Sequence, residues 1–517
     1  MTLAEEMTKA QSAGMLTALW AKETPDRPAA YDKYGMRTFA QVNARANQIV
    51  KLLRSRGVNA GDHIAFVSNN RAEAMEVMAA SLRGGYRLIP VNWRLTETEI
   101  GYILENSDAK ALFVEAEFPE ALSAARAQPR LEVKLAFGGG AEGFESYEDT
   151  LAGFDGADIS DPQQGTTMFY TSGTTGHPKG VFRSKLSVII GAESNYDRFN
   201  DVQLCVCPIY HGAGLTLDTR IPMSYGVPVV FLERWDSEVL LRTIEERKVT
   251  HLHLVPIMFQ RLLALPKEVR DSYDLSSLKG VLHGAAPCPP DVKRAMIEWL
   301  GPIINEYYSG TEGGAGFRTT SEEWLQRPGS VGKRPQGADM KLLDDDGNET
   351  PPGVPGTLYF RRQEENPFVY YKDPEKTENA FKGEYYTLGD VGYFDEDDYL
   401  FLTGRSADTI ISGGVNIYPQ EIDNELLKHV AVEDCACIGA PNREWGEEVK
   451  AVIVLKPGYP PSEETARSII DFARGKLGGY KIPRSVDFAE ELPRNAAGKI
   501  ERRKVRAPYW EGRKIQI

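Results

Sequence analysis

The sequence predicts an α/β fold: a large N-terminal domain of mixed and parallel sheets with packed helices, then a small C-terminal α+β domain. Three observations predict it. The chain has 517 residues, more than one hydrophobic core usually serves, so two or more domains are expected. Roughly the first 160 residues alternate helical and strand patterns, which implies parallel sheet with crossover helices. From about residue 406 a second, shorter alternation begins.

Taken in order, Phe39 to Leu53 has apolar positions at helical spacing and stops at Gly57. His63–Val67 follows as a short strand, Arg71 to Gly84 as a helix, and Leu88–Val91 and Ala109–Val114 as strands. Thr167–Tyr170 is an apolar strand. Val227–Leu232, Thr250–Pro256 and Val281–His283 read as buried strands. In the small unit, Asp408–Pro419 reads as a hairpin ending at a helix over Gln420–Lys428. Val449–Leu455 and Glu463–Leu477 read as strand and helix. No internal repeat or low-complexity segment interrupts the pattern.

The net charge is −14 and the pI about 5.2. This disfavours nucleic acid and anionic membranes as partners of the body of the protein. Only the last nineteen residues, with seven Lys/Arg against two Glu, run the other way. No stretch approaches a membrane span, and the N-terminus lacks a signal-peptide core. Five cysteines include Cys205/Cys207 and Cys435/Cys437, both in apolar runs. Residues i and i+2 share a strand face, so these read as buried hydrophobes rather than metal ligands. An odd count without a secretory signal fits a reducing cytosol, and a cytoplasmic location is expected. The pair His251 and His253 reads as core or pocket lining for the same reason of strand spacing.

One stretch carries chemistry: Thr171-Ser172-Gly173-Thr174-Thr175-Gly176-His177-Pro178-Lys179-Gly180. Glycines let successive N–H groups turn into an anion-binding concavity. Hydroxyls add donors and Lys179 a compact cation. The spacing is not that of a Walker A loop. Further along stand Tyr210-His211-Gly212, His283-Gly284-Ala285-Ala286, Tyr307-Tyr308-Ser309-Gly310-Thr311-Glu312, Leu388-Gly389-Asp390, Thr403-Gly404-Arg405, Ser412-Gly413-Gly414 and Pro493-Arg494-Asn495-Ala496-Ala497-Gly498-Lys499.

Together these motifs resemble the adenylate-forming superfamily of acyl-CoA synthetases, aryl-CoA ligases, luciferases and peptide-synthetase adenylation domains, roughly from Ala29 to Arg503. The resemblance implies an AMP-forming carboxylate–CoA ligase with ATP and CoA as co-substrates and Mg²⁺ as cofactor. It implies a large adenylation domain over residues 1–405 and a small mobile domain over 406–517, pivoting at Ala407. Thr171 to Thr175, Lys179, Gly284 to Ala286, Tyr308, Thr311, Asp390 and Arg405 would bind ATP and AMP. Tyr308 would stack on adenine, Thr311 would hold the α-phosphate and Glu312 would hold Mg²⁺. Asp390 would accept the ribose hydroxyls. Lys499 would meet the reacting carboxylate and α-phosphate, with His211 beside the carboxylate.

Ser412, Gly413, Gly414, Trp445 and Tyr480 would face CoA. His211, His283, Tyr307 and Ser309 would line the acyl pocket. Three departures stand out: Ser309 where relatives have Gly, Leu388 for Thr, and Ala407 at the pivot. The acid is expected to be hydrophobic, of fatty, aromatic or steroid type. Alternatives are loading of a carrier protein, a luciferase-like oxygenase and a nucleotide-binding regulator. A homodimer is compatible with the chain.

Overall fold

The computed structural model describes residues 2–511 except 172–177, 187–195, 345, 413–414, 443–444, 475 and 496–497, without the side chains of 315 and 416. Its centre is an eight-stranded sheet ordered Gly313–Thr319, Ile304–Gly310, Gly280–His283, His251–Leu254, Gln203–Cys205, Val229–Phe231, Pro28–Asp32 and Gly35–Thr38. The inner pairings are parallel, and an antiparallel strand closes each end. A second sheet, six-stranded and wholly parallel, is built from the N-terminal alternation. Helices Phe39–Ser55 and Ala72–Gly84 join the core of both through Ile49, Leu53, Met75 and Val77. Thr38 caps the first of these with a reciprocal Gln41 box, which explains why it starts where the apolar spacing starts.

The apolar run at Thr167–Tyr170 forms two strands rather than one. Thr166–Thr167 pairs with the parallel sheet, and Phe169–Thr171 turns away to a three-stranded sheet with Lys179–Phe182 and Val369–Tyr370. Met168, fully buried between them, anchors the corner. An antiparallel sheet of residues 330–405 carries Tyr385–Phe394 against Tyr399–Arg405. A last five-stranded sheet holds residues 410–488 around its own core of Ile410, Ile422, Leu426, Cys435, Cys437 and Ile453. Its helix runs Pro419–Leu426, two residues short of the sequence reading. All five cysteines are free, and Cys435 and Cys437 share the buried face. Among the described residues no helix is long and apolar enough to cross a membrane.

Candidate active site

Strand register builds the first corner of the site. Asp390 lies opposite Arg405 on neighbouring strands, and Arg405 Nε donates to Asp390 Oδ1 at 3.1 Å. The Tyr308 hydroxyl donates to the other oxygen, Oδ2, at 2.6 Å. Burial, then the adjacent Asp390 carboxylate, hold the Tyr308 phenol far above its ordinary value, so it stays a donor. A carboxylate has about four acceptor sites. The two protein bonds orient Asp390 and leave room on each oxygen for one more donor, which suits a diol. Tyr308 packs its ring near Phe317 and Phe360, with centroids 5.9 and 6.4 Å away. Leu388 fills the space over Gly310, where a Cβ would stand 2.8 Å from its methyl.

Lys499 reaches this corner from the other end of the chain. The segment Arg494–Ile500 closes on itself: Asn495 N donates to the Lys499 carbonyl at 2.9 Å, and Arg494 clamps the Gly498 carbonyl and Asp434. Gly498 has φ +75°, and a Cβ there would sit 2.8 Å from the Ile257 methyl. Glycine is therefore required twice, for the turn and for close approach to the large unit. Burial, then Arg405, lower the Lys499 ammonium to about 8, while Asp390 and Asp408 pull the other way. Lys499 is thus within electrostatic reach of Arg405 and Asp390.

Glu312 sits in the turn between strands Ile304–Gly310 and Gly313–Thr319. Its carboxylate accepts from the Tyr370 hydroxyl at 3.1 Å, and Arg183 donates to its backbone carbonyl at 2.6 Å. Thr311 and Ser309 are exposed beside it. Thr171 pairs with Lys179 across neighbouring strands. Lys179 is lowered to about 8 by burial and then by the Lys376 ammonium, with Glu312 raising it. Ser172, Gly173, Thr174 and Thr175 lie outside the described residues.

Next to Tyr308, Tyr307 points elsewhere. Its hydroxyl is 3.4 Å from His253 Nε2, and His253 Nδ1 is 3.6 Å from Asp218 Oδ2. Gln203 donates to Asp218 Oδ1 at 3.2 Å, and Tyr196 donates to Gln203 at 2.7 Å. Asp218 and His253 are each 1% exposed. Burial pushes the Asp218 carboxyl up to about 6 although His253 opposes it. Burial works against charge on His253, yet Cys207, Tyr307 and Asp218 hold it above the ordinary imidazole value. Cys207, Asp218 and His253 bring ligand-type atoms within 4.8 Å of one another. Burial raises the Cys207 thiol, and its Sγ donates to the His253 carbonyl.

His211 is half-buried, and its shielded Nε2 has no hydrogen-bond partner among the described residues. Burial lowers it to about 4, so near neutrality it is an uncharged imidazole. Gly284 is needed where Tyr307 crosses it, since a Cβ would lie 2.6 Å from that ring. Ala285 adopts φ +66°, a left-handed strain for a non-glycine residue. His283 departs from its expected place. It is 0% exposed, with its ring tilted against Phe259 at 5.1 Å and 3.5 Å from Glu306, which pairs with buried Lys293 at 2.6 Å. It packs the core rather than facing an acyl group.

A family model described as AMP-binding enzyme matches residues 18–366, and one described as AMP-binding enzyme C-terminal domain matches 421–499. The chain belongs to the AMP-binding enzyme family. Within it, the chain is 31% identical over 508 residues to 2-succinylbenzoate–CoA ligase of Geobacillus kaustophilus, covering 94% of this chain and 97% of the relative. It is 30% identical to the fatty acid–[acyl-carrier-protein] ligase ScoC of Streptomyces coeruleorubidus, covering 96% of each. Among solved structures, the anthranilate CoA ligase AuaEII with anthranoyl-AMP superposes with TM-score 0.85 at 29% identity, covering 96% and 97%. ATP-bound MatB from Rhodopseudomonas palustris gives 0.84 at 27%, covering 97% and 100%. The chain is an adenylate-forming enzyme of the acyl- and aryl-CoA ligase kind.

In this AMP-binding enzyme Ser412, Trp445 and Tyr480, expected to face CoA, belong to the C-terminal stretch around the last five-stranded sheet. Ser412 pairs with Gly446, beside Trp445, which is 41% exposed with Arg484 over its ring. Tyr480 is 53% exposed. Gly413 and Gly414 lie outside the described residues. Ala407 is exposed in a single 3₁₀ turn, Ser406–Asp408, directly after Arg405. Five side chains at the site were missed in the sequence: Arg183, Tyr370, Lys376, Asp218 and His253 in its polar role. For Lys376 a signal existed, a lysine at a helix start shortly after an aromatic pair. For Asp218, an isolated acid in an apolar stretch was the only sign.

Proposed function

We propose that the protein joins a hydrophobic carboxylic acid, of fatty, aromatic or steroid type, to CoA through an acyl-adenylate. The observation that supports this reading best is Lys499, whose ammonium feels the charges of Arg405 and Asp390 from the C-terminal segment. A carboxylate oxygen attacks the α-phosphorus of ATP. The bond from that phosphorus to the bridging oxygen breaks, and pyrophosphate leaves with the electron pair. Such chemistry rests on positioning and charge neutralisation. Asp390, oriented by Tyr308 and Arg405, holds the ribose. Thr311 and Lys499 meet the charge that develops on the α-phosphate. His211, neutral and with a free ring nitrogen, can donate to the acid without competing as a cation.

Glu312 is a single carboxylate beside the phosphate-facing lysines, a donor set that fits a cation shared with phosphate oxygens. Mg²⁺ held there would neutralise phosphate charge. In the second half-reaction the CoA sulfur attacks the acyl carbon, AMP leaves, and the thiol proton passes to solvent. The domains would be 1–405 and 406–517, with a turn at Ala407 exchanging Lys499 for the Ser412–Gly414 face and bringing Trp445 and Tyr480 to CoA.

Likeness to ScoC favours a second reading, transfer to a carrier protein. Pyrophosphate release measured across a panel of acids, with CoA, with a phosphopantetheinylated carrier and with neither, tests both. Thioester formed on CoA alone supports the first. ADP and phosphate in place of AMP and pyrophosphate would remove both.

A further inference from the structure

The three-stranded sheet has one end where charge collects. Strand Val369–Tyr370 runs antiparallel to Lys179–Phe182, with Val181 opposite Tyr370 and Tyr371 N donating to the Gly180 carbonyl at 2.8 Å. The chain leaving Tyr370 therefore passes the Lys179 end, and helix Pro374–Asn379 starts there. The start of the helix is pinned by its cap and by a threonine. The Asp373 carboxylate accepts from Lys376 N at 3.0 Å, and Thr377 Oγ1 accepts from Tyr370 N at 3.0 Å. From this helix the Lys376 ammonium opposes the charge on the Lys179 ammonium. Lys179 Nζ lies 5.1 Å from the Tyr370 ring centroid, and that ring's hydroxyl bonds Glu312.

Two ammonium groups this close repel one another, and the local carboxylates offset them only in part. Asp373 Oδ2 is 4.0 Å from Lys376 Nζ and 43% exposed, a surface pair of small worth. Repulsion of this kind persists in a fold where an anion more highly charged than one carboxylate resides between the cations. A lysine serves as a point charge for phosphate.

We propose that Lys376 is a binding residue for the pyrophosphate half of ATP, closing with Lys179 on the β- and γ-phosphates opposite Glu312. The proposal rests on the adenylate-forming reading and adds the residue that grips the leaving group. Lys376 then acts while pyrophosphate is present and has no contact with the AMP moiety.

Calorimetry with magnesium pyrophosphate and, separately, AMP tests this on the full chain and on Lys376→Met, Lys376→Arg and Lys382→Met. Lys382 is an exposed lysine on the strand after the helix and controls for net charge. Loss of one charge-assisted bond should weaken pyrophosphate about tenfold in Lys376→Met, with AMP affinity moved far less. Lys376→Arg should recover most of the affinity and Lys382→Met should match the parent. A Lys376→Met protein that holds pyrophosphate as tightly as the parent, or loses AMP and pyrophosphate alike, overturns the proposal. Adenylate formation measured on the same samples separates the two readings. A parent that forms AMP from ATP, beside a variant with intact pyrophosphate affinity, removes this inference alone. A parent that forms no AMP with any acid and holds no pyrophosphate removes both.

Discussion

Tyr307 and Tyr308 are neighbours on one strand and serve opposite sides of it. Tyr308 turns its hydroxyl to Asp390, which Arg405 also holds and whose charge Lys499 feels. Tyr307 turns inward to His253, Asp218 and Gln203, where Asp218 and His253 are almost wholly buried. The alternation of a β-strand separates the two. The difference is one of purpose. The outer corner leaves acceptor sites unused, so a ligand can complete it. The inner cluster turns its polar groups toward one another, with Asp218 Oδ2 and His253 Nδ1 3.6 Å apart, and it backs Tyr307.

If that contrast is right, breaking the inner cluster should cost stability and breaking the outer corner should cost catalysis. The largest effect is expected from His253→Leu. It leaves the Asp218 carboxylate buried without its partner, at about 3–5 kcal/mol. Denaturant unfolding measures it, and the folded fraction should bind ATP as the parent does. A loss below about 1 kcal/mol would show that the pair is not coupled.

Next is Lys499→Ala. Adenylate formation should fall about 10²-fold or more, the scale of one lost transition-state donor. Thioester formation from supplied acyl-adenylate and CoA should persist. Equal losses in both halves would contradict the role given to the Lys499 corner. Tyr308→Phe should follow with a roughly tenfold rise in KM for ATP, since Asp390 loses one of two orienting bonds. Unfolding free energy should move much less, and a change mainly in stability would place Tyr308 with the inner cluster.

The mildest test is pH. Lys499 and Lys179 are lowered to about 8, so each is charged below that pH and loses its proton above it. The ratio kcat/KM for ATP reports the free enzyme. It should hold below about pH 8 and decline above it. Bound phosphate favours the ammonium form, so kcat alone should decline at higher pH. Identical profiles for the two would contradict the contact with phosphate.

Legibility in the sequence divided along the same strand. The parallel N-terminal alternation, the helix from Phe39 and the strand at His63–Val67 followed from period and caps, because local and tertiary demands agree there. Asp390, Arg405, Glu312 and Lys499 were marked by short motifs, since binding a nucleotide needs fixed residues at fixed spacings. The inner cluster had no such mark. Gln203, Cys207, Asp218 and His253 come from separate elements, and each looks ordinary alone, while Tyr307 was marked only for the acyl pocket. His283 misled for that reason: it precedes the Gly284 turn in sequence, but strand alternation turns it to Phe259 and Glu306. The split at Met168 was hidden because both halves of the run are apolar.

The central claim is that a carboxylate is activated on the α-phosphorus at the Asp390–Lys499 corner. An acid accepted in the pyrophosphate assay, labelled with heavy oxygen in its carboxylate, tests it in one turnover with ATP and CoA. The account predicts one heavy oxygen in the phosphate of AMP for each thioester made and none in pyrophosphate. Label in inorganic phosphate beside ADP, or AMP without label, would contradict it.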